Sequence, residues 1–344
     1  MSDVKDPSVA PTSPQNKESA AKADLPSYCD FLVTERCNLK CKKCYFWRNG
    51  YWLEDEVTFE ECRDFILSLK GWVPPTFELN LGGGETLLKQ NMLDLIELCA
   101  KEGIRACVST NATLINEDMA KRIADAGLWR LGVSLDTLDE NTQDFLTGVP
   151  GSYKRIMKAI EYLKKHWKKG HINIHAVLSN RNLDSIKDLI EWVNKEEFLT
   201  GISVMALSQP FRTDPIDQWY LDKEYGLLWP TDFEKVSLTL DMLMTYKKAG
   251  YRILNAMPQL VAYKKYYGNP ESFVRAHDCH FGDYTFNVNV LGLVMLCCFM
   301  RPVGNIKKQS IRDIWNSEAA VKTRAAMRHC QKSCNNILNC FFAE

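Results

Sequence analysis

The sequence predicts an α/β fold: a partial (β/α)6 TIM-like barrel followed by a small cysteine-rich C-terminal domain. Three observations lead there. Short apolar runs alternate with helical periodicity six times between residues 28 and 207, and strands joined through helices pair in parallel because each crossover returns the chain to the same edge. The alternation stops two units short of a closed eight-unit barrel. Six of the 13 cysteines fall at or beyond Cys279.

The first strand is YCDFLV at 28–33, an apolar run that suits a buried parallel strand. A helix follows over 58–70, where Thr58 and Glu61 are spaced for a capping box. TFELNL at 76–81 is the second strand and runs directly into GGGE, ahead of a helix over 88–102. The third strand, 104–109, precedes a helix over 116–126; the fourth, 128–135, precedes one over 152–168. The fifth and sixth strands, 171–178 and 201–207, flank a helix over 183–198. A polar stretch with Trp219, Tyr220, Tyr225 and Trp229 comes next, then a helix over 231–249. The expected layout is a disordered tail over 1–26, the barrel over 27–207, a linker and helical segment over 208–278, and the cysteine-rich domain over 279–344.

Lys and Arg total 43, as do Asp and Glu, so no broad field selects nucleic acid or anionic lipid. No run approaches the ~18 apolar residues of a membrane span, and the tail, rich in Ser, Pro, Ala and Lys, has no signal-peptide core. A cytoplasmic location is expected, where cysteines serve metal or redox chemistry more often than disulfides.

In parallel barrels the chemistry sits on loops after the strands, and two motifs occupy such loops. TERCNLKCKKC places Cys37, Cys41 and Cys44 within eight residues. Three thiolates hold three irons of a cubane cluster and leave the fourth without a protein ligand. Structural zinc prefers four closed ligands, and the further cysteines Cys29 and Cys62 lack zinc-finger spacing. An electron carrier would supply four cysteines per cluster.

The C-x3-C-x2-C spacing after a first strand resembles the radical S-adenosylmethionine (SAM) superfamily. The resemblance implies that the three cysteines hold a [4Fe–4S] cluster whose open iron binds SAM. Reductive cleavage to methionine and a 5'-deoxyadenosyl radical is implied, followed by hydrogen abstraction from a substrate C–H bond; a flavodoxin- or ferredoxin-type donor is the implied partner. GGGET resembles the family's Gly-Gly-Glu motif, which puts Gly82, Gly83, Gly84 and a solvent-facing Glu85 against the SAM amino and carboxylate ends. Asn111 and Ser134 end the third and fourth strands, where the family contacts SAM; Asp136 and Asn180 hold comparable places, and local capping is the alternative for all four. The family commonly has an aromatic residue before the third cysteine, near the adenine. Here that position is Lys43, and Tyr45 becomes the candidate adenine contact.

At the C-terminal end, twelve residues separate Cys279 from Gly292 and four separate Gly292 from Cys297. With Cys330, Cys334 and Cys340 this resembles the SPASM or twitch extension of the same superfamily, although the terminal C-x3-C-x5-C departs from its C-x2-C-x5-C. The resemblance implies one auxiliary [4Fe–4S] cluster on Cys279, Cys297 and some of Cys330, Cys334 and Cys340; a zinc domain is the alternative. Cys298 adjoins Cys297 on a predicted strand, so its side chain is expected to face away, leaving it a candidate hydrogen donor. Cys62, Cys99 and Cys107 read as small buried apolar residues. The expected reaction is a redox-active C–H modification of a peptide or small natural product. Sugar or aminocyclitol oxidation or epimerisation is the alternative within the superfamily, and a non-catalytic iron–sulfur or zinc protein the alternative outside it.

Overall fold

The structure is a computed structural model that describes residues 25–49, 55–168, 170–272, 278–334 and 336–340. The tail expected over 1–26 lies outside the described residues as far as residue 24. Strands β1 (Tyr28–Thr34), β2 (Glu78–Gly83), β3 (Arg105–Thr110), β4 (Arg130–Ser134), β5 (His171–Leu178) and β6 (Gly201–Ala206) pair in parallel in sequence order. Helices α1 (Phe59–Leu69), α2 (Met92–Lys101), α3 (Glu117–Asp125), α4 (Glu140–Thr147), α5 (Ser152–His166) and α6 (Ile186–Lys195) supply the crossovers. This is the fold class the apolar alternation predicts.

The second helix starts later than its periodicity suggests. A 3-10 turn over Thr86–Leu88 intervenes, capped by the Glu85 carboxylate on Leu87 N–H, and Asn91 is left-handed at φ 56°. Helix α4 has no counterpart among the expected elements. Its signals are local: Asp139 accepts from Thr142 N–H as N-cap, and Gly148 closes the helix at φ +69°.

Beyond the barrel come α7 (Phe233–Lys248), α8 (Met257–Gly268) and the short α9 (Phe281–Tyr284). Three small strands follow, β7 (Thr285–Val288), β8 (Leu293–Met295) and β9 (Gly304–Asn305), then α10 (Ile311–Trp315) and α11 (Glu318–Arg328). Strand β7 pairs in parallel with β1, Tyr28 opposite Thr285, so the cysteine-rich end extends the barrel's own sheet. Aromatic packing fills the seam. Phe31 meets Phe65 at 5.0 Å, Phe286 stacks on Phe77 at 6.4 Å, and Trp315 lies 5.9 Å from Phe286, all of them buried. Such rings bind the two parts by area and by edge-to-face attraction.

Candidate active site

Cys37, Cys41 and Cys44 lie on the loop leaving β1, and the end of α4 cradles that loop. Lys40 and Lys42 donate their N–H groups to the carbonyls of Thr147 and Leu146, each at 2.9 Å. Gly148 must be glycine here, because a Cβ would come within 2.3 Å of the Lys40 carbonyl. The three thiols are close enough to influence one another's charge. Burial raises Cys37 and Cys41 above the ordinary thiol value and pushes Cys44 up to about 11. A coordinated iron reverses that, since a metal-bound thiol is deprotonated.

GGGE packs against the same loop, in a manner the motif alone did not indicate. Gly84 N–H donates to the Thr34 carbonyl at 2.9 Å and Glu85 N–H to that of Arg36 at 2.7 Å. Cβ atoms on Gly83 and Gly84 would lie 2.0 Å from Thr34 O and 2.3 Å from Arg36 O. The close approach these two glycines permit is therefore to the cysteine loop's own backbone. Gly82 has more room, meeting Asn80 and Asp30 side chains at 3.3 Å. Glu85 does not face solvent as expected: it is fully buried. Its carboxylate accepts from Thr110 Oγ1 at 2.7 Å, Asn111 N–H at 2.8 Å and Leu87 N–H at 3.1 Å, so it fastens β2 to β3. Burial raises its pKa against those bonds.

Asn111 reaches the cysteine loop, donating from Nδ2 to Asn38 at 3.0 Å and bonding to the Cys37 sulfur. Ser134 ends β4 half-buried, with no protein partner for its hydroxyl among the described residues. Asn180 instead holds the segment after β6, donating to the Leu227 and Trp229 carbonyls. Tyr45 is buried and its ring is already engaged, with the Arg48 guanidinium 3.5 Å above it and Trp47 and Tyr225 at 6.3 and 6.0 Å. Lys43 is not solvated either: its Nζ lies 2.6 and 2.5 Å from the two Asp136 oxygens.

Below the loop, inward positions of the strands make a polar lumen. Asp30 Oδ1 accepts from Asn80 Nδ2 at 2.7 Å, and Asn80 Oδ1 accepts from Ser109 Oγ at 3.2 Å. Burial raises the Asp30 pKa. Arg130 pairs with Glu78 deeper in, next to the Cys107 thiol. On β5 the His175 ring occupies the space that Gly132 leaves, and a Cβ there would come within 2.4 Å of it. Burial, then the Arg130 and Lys43 charges, lower His175 to about 4. The buried Asn173 Oδ1 has no partner among the described residues. These lumen groups escape a reading of the strands as apolar runs, yet their signal is plain: a polar residue at every second place, as in Glu78 and Asn80 or His171, Asn173 and His175.

The second thiol group gathers Cys279, Cys297, Cys298, Cys330 and Cys334. Cys279 senses the charges of Cys334, Cys330 and Cys297, and burial raises it. Strand β8 ends at Met295, so the alternation of faces does not extend to Cys298, whose side chain is exposed beside Cys297 and Cys334. Cys298 and the Phe299 N–H, 3.4 Å from its sulfur, bring Cys297 down to about 6. The side chain of Cys340 lies outside the described residues. Cys29, Cys62, Cys99 and Cys107 are buried in the strands and helices.

Both donor sets consist of thiols, the ligands iron–sulfur clusters take. Among the described residues no group of three His, Cys, Asp or Glu side chains is placed to hold a single metal ion.

Comparison with known proteins agrees with this geometry. The sequence profile of the radical SAM superfamily matches residues 31–193, and that of an iron–sulfur cluster-binding domain, SPASM, matches 279–340. An AdoMet-dependent heme synthase of Methanosarcina barkeri is 28% identical over 308 residues, covering 88% of this chain and 86% of that protein. A GTP 3',8-cyclase of Erythrobacter litoralis is 32% identical over 191 residues, covering 53% and 55%. Among solved structures, anSMEcpe with bound AdoMet and a peptide superposes at TM-score 0.65 with 18% identity, over 92% of this chain and 88% of that one. SuiB of Streptococcus suis, bound to precursor peptide SuiA, gives 0.66 with 15% identity, over 93% and 72%. At those identities the structures speak for the fold alone. No helix among the described residues is long and apolar enough to cross a membrane. The chain belongs to the radical SAM superfamily: it is an enzyme whose [4Fe–4S] cluster binds SAM, with a C-terminal SPASM domain for auxiliary iron–sulfur.

Proposed function

We propose that Cys37, Cys41 and Cys44 hold the SAM-binding cluster, and that the enzyme modifies a C–H bond of a peptide or small natural product in a redox-active reaction. The observation that carries this reading is the placement of three half-buried thiols on one loop over a polar lumen. When bound, the cluster supplies the electron that cleaves SAM, and the 5'-deoxyadenosyl radical supplies the hydrogen-abstracting group.

The chain's own residues do the positioning. Asn111 braces the cysteine loop, and Ser134 offers a free hydroxyl toward SAM from the end of β4. Asp30, Asn80 and Ser109 form a row of hydrogen-bonding groups against which a polar substrate group can be oriented. His175 stays neutral at physiological pH and keeps a further positive charge out of the lumen. In the C-terminal domain Cys279, Cys297, Cys330 and Cys334 would hold one auxiliary cluster, which would supply an electron acceptor there, with Cys298 beside them. A flavodoxin- or ferredoxin-type donor completes the electron supply.

The test is to incubate the anaerobically reconstituted, dithionite-reduced protein with SAM and to measure 5'-deoxyadenosine by mass spectrometry. Protein that carries its full iron and yields none contradicts the reading. A second reading has one observation in its favour: the similarity to the heme synthase runs through nearly the whole chain. It makes the substrate an iron porphyrin, and consumption of an added iron porphyrin in step with SAM distinguishes it from peptide modification.

A further inference from the structure

Position 43 stands between Cys41 and Cys44 on a cluster loop and carries a lysine. Its side chain is directed inward, 19% exposed, onto an Asp136 carboxylate that is 3% exposed. Asp136 is held from several sides. Its Oδ1 also accepts the Val177 N–H at 2.7 Å, its carbonyl accepts Asn182 Nδ2 at 2.9 Å, and its own N–H donates to Gln143 Oε1 at 2.9 Å. Gln143 belongs to α4, the helix that cradles the cysteine loop. The ion pair therefore sits inside a frame that gives Lys43 little freedom to leave.

Charge makes this placement matter. Lys43 follows Cys41 by two residues and precedes Cys44 by one, so its ammonium is carried on the cluster loop itself, whereas Asp136 stands on the segment that leaves β4. Net charge and nearby hydrogen bonds are among the levers that set iron–sulfur potentials, and a cation beside the cluster stabilises its reduced, more negative state. Breaking a buried pair is costly because it strands the other charge.

We infer that the Lys43–Asp136 pair is a positioning device for the SAM-binding cluster: Asp136 pins the Lys43 ammonium beside Cys41 and Cys44, and that pinned charge raises the cluster's reduction potential. This rests on the assignment of Cys37, Cys41 and Cys44 as cluster ligands. In this role the pair acts through the cluster.

The experiment is a redox titration of the reconstituted full-length protein, followed through the EPR signal that changes when SAM is added. Lys43→Met should lower the potential and Lys43→Arg should hold it near the wild-type value, both with the iron content unchanged. Where Lys43→Met fails to assemble, Lys43→Gln, whose amide still donates to Asp136, reads the same loss of charge. A potential that is unmoved or raised in the loaded neutral variants, or loss of iron from both of them, would overturn the inference and leave the pair a mere tie between loops. Absence of any SAM-responsive signal in the wild-type protein would instead remove the cluster assignment on which it stands.

Discussion

At the barrel mouth three thiols lie among groups from other elements, with Lys43 and Asp136 on one side and Asn111 on another. Burial holds those thiols above their ordinary value. In the C-terminal domain the thiols act on one another: Cys298 lies beside Cys297 and Cys334, and Cys297 falls to about 6. The difference fits two tasks. A cluster that must leave one iron open for SAM needs surroundings that position a ligand and govern charge. An auxiliary cluster needs mainly a sufficiency of sulfur.

The largest expected effect comes from removing the first set. Cys37→Ala, Cys41→Ala and Cys44→Ala together should abolish 5'-deoxyadenosine formation and remove about four irons per chain, the content of one cubane. The remaining iron should stay with the C-terminal domain. Loss of all iron would mean that the two regions assemble as one, and the contrast between them would fall.

Changing Cys279 and Cys297 to Ala probes the other region. Total iron should fall from about eight to about four per chain, while the cleavage of SAM without substrate persists. A variant that keeps all its iron, or a domain found loaded with zinc, contradicts the auxiliary-cluster assignment.

Much of this contrast is legible in the sequence. Cysteine spacing is local, and six apolar runs between helices leave few arrangements other than a parallel partial barrel. Roles that depend on what a loop meets in three dimensions are not legible. Glu85 occupies a recognisable motif, but only the approach of β3 shows that Thr110 and Asn111 claim its carboxylate. Lys43 looks like a surface lysine until the end of β4 brings Asp136 to it. For Cys298 the limit lies in a boundary: a strand that stops at Met295 cannot dictate the face of a residue three places on. Asp30 was readable, since a lone carboxylate inside YCDFLV is a signal that the strand has a polar side.

Glu85→Gln should act on stability before it acts on SAM. The amide keeps one acceptor oxygen and turns an NH2 group toward donors that the carboxylate now satisfies. A buried donor left unmatched costs about 1–3 kcal/mol. Chemical denaturation of the cluster-free protein should show a loss of that size. An unchanged midpoint, accompanied by weaker SAM binding, would return Glu85 to the role its motif suggests.

The smallest effect lies in the lumen and sets the charged region apart by pH. His175 titrates at about 4 in the folded protein because burial, then the Arg130 and Lys43 charges, disfavour its protonated form; in the unfolded chain it should return to about 6.5. Between those two values the unfolded chain binds the extra proton, so stability falls as pH drops from about 6.5 to about 4 and is unaffected by this group above that window. The whole effect is at most about 3.5 kcal/mol, from roughly 1.4 kcal/mol per pKa unit. His175→Gln removes the titrating group and should flatten that part of the stability curve of the cluster-free protein. Cys279→Ala, which touches only the thiol-lined region, should leave it as it is. A curve equally steep in His175→Gln would place the acid sensitivity elsewhere and detach the histidine from the charged surroundings of the first site.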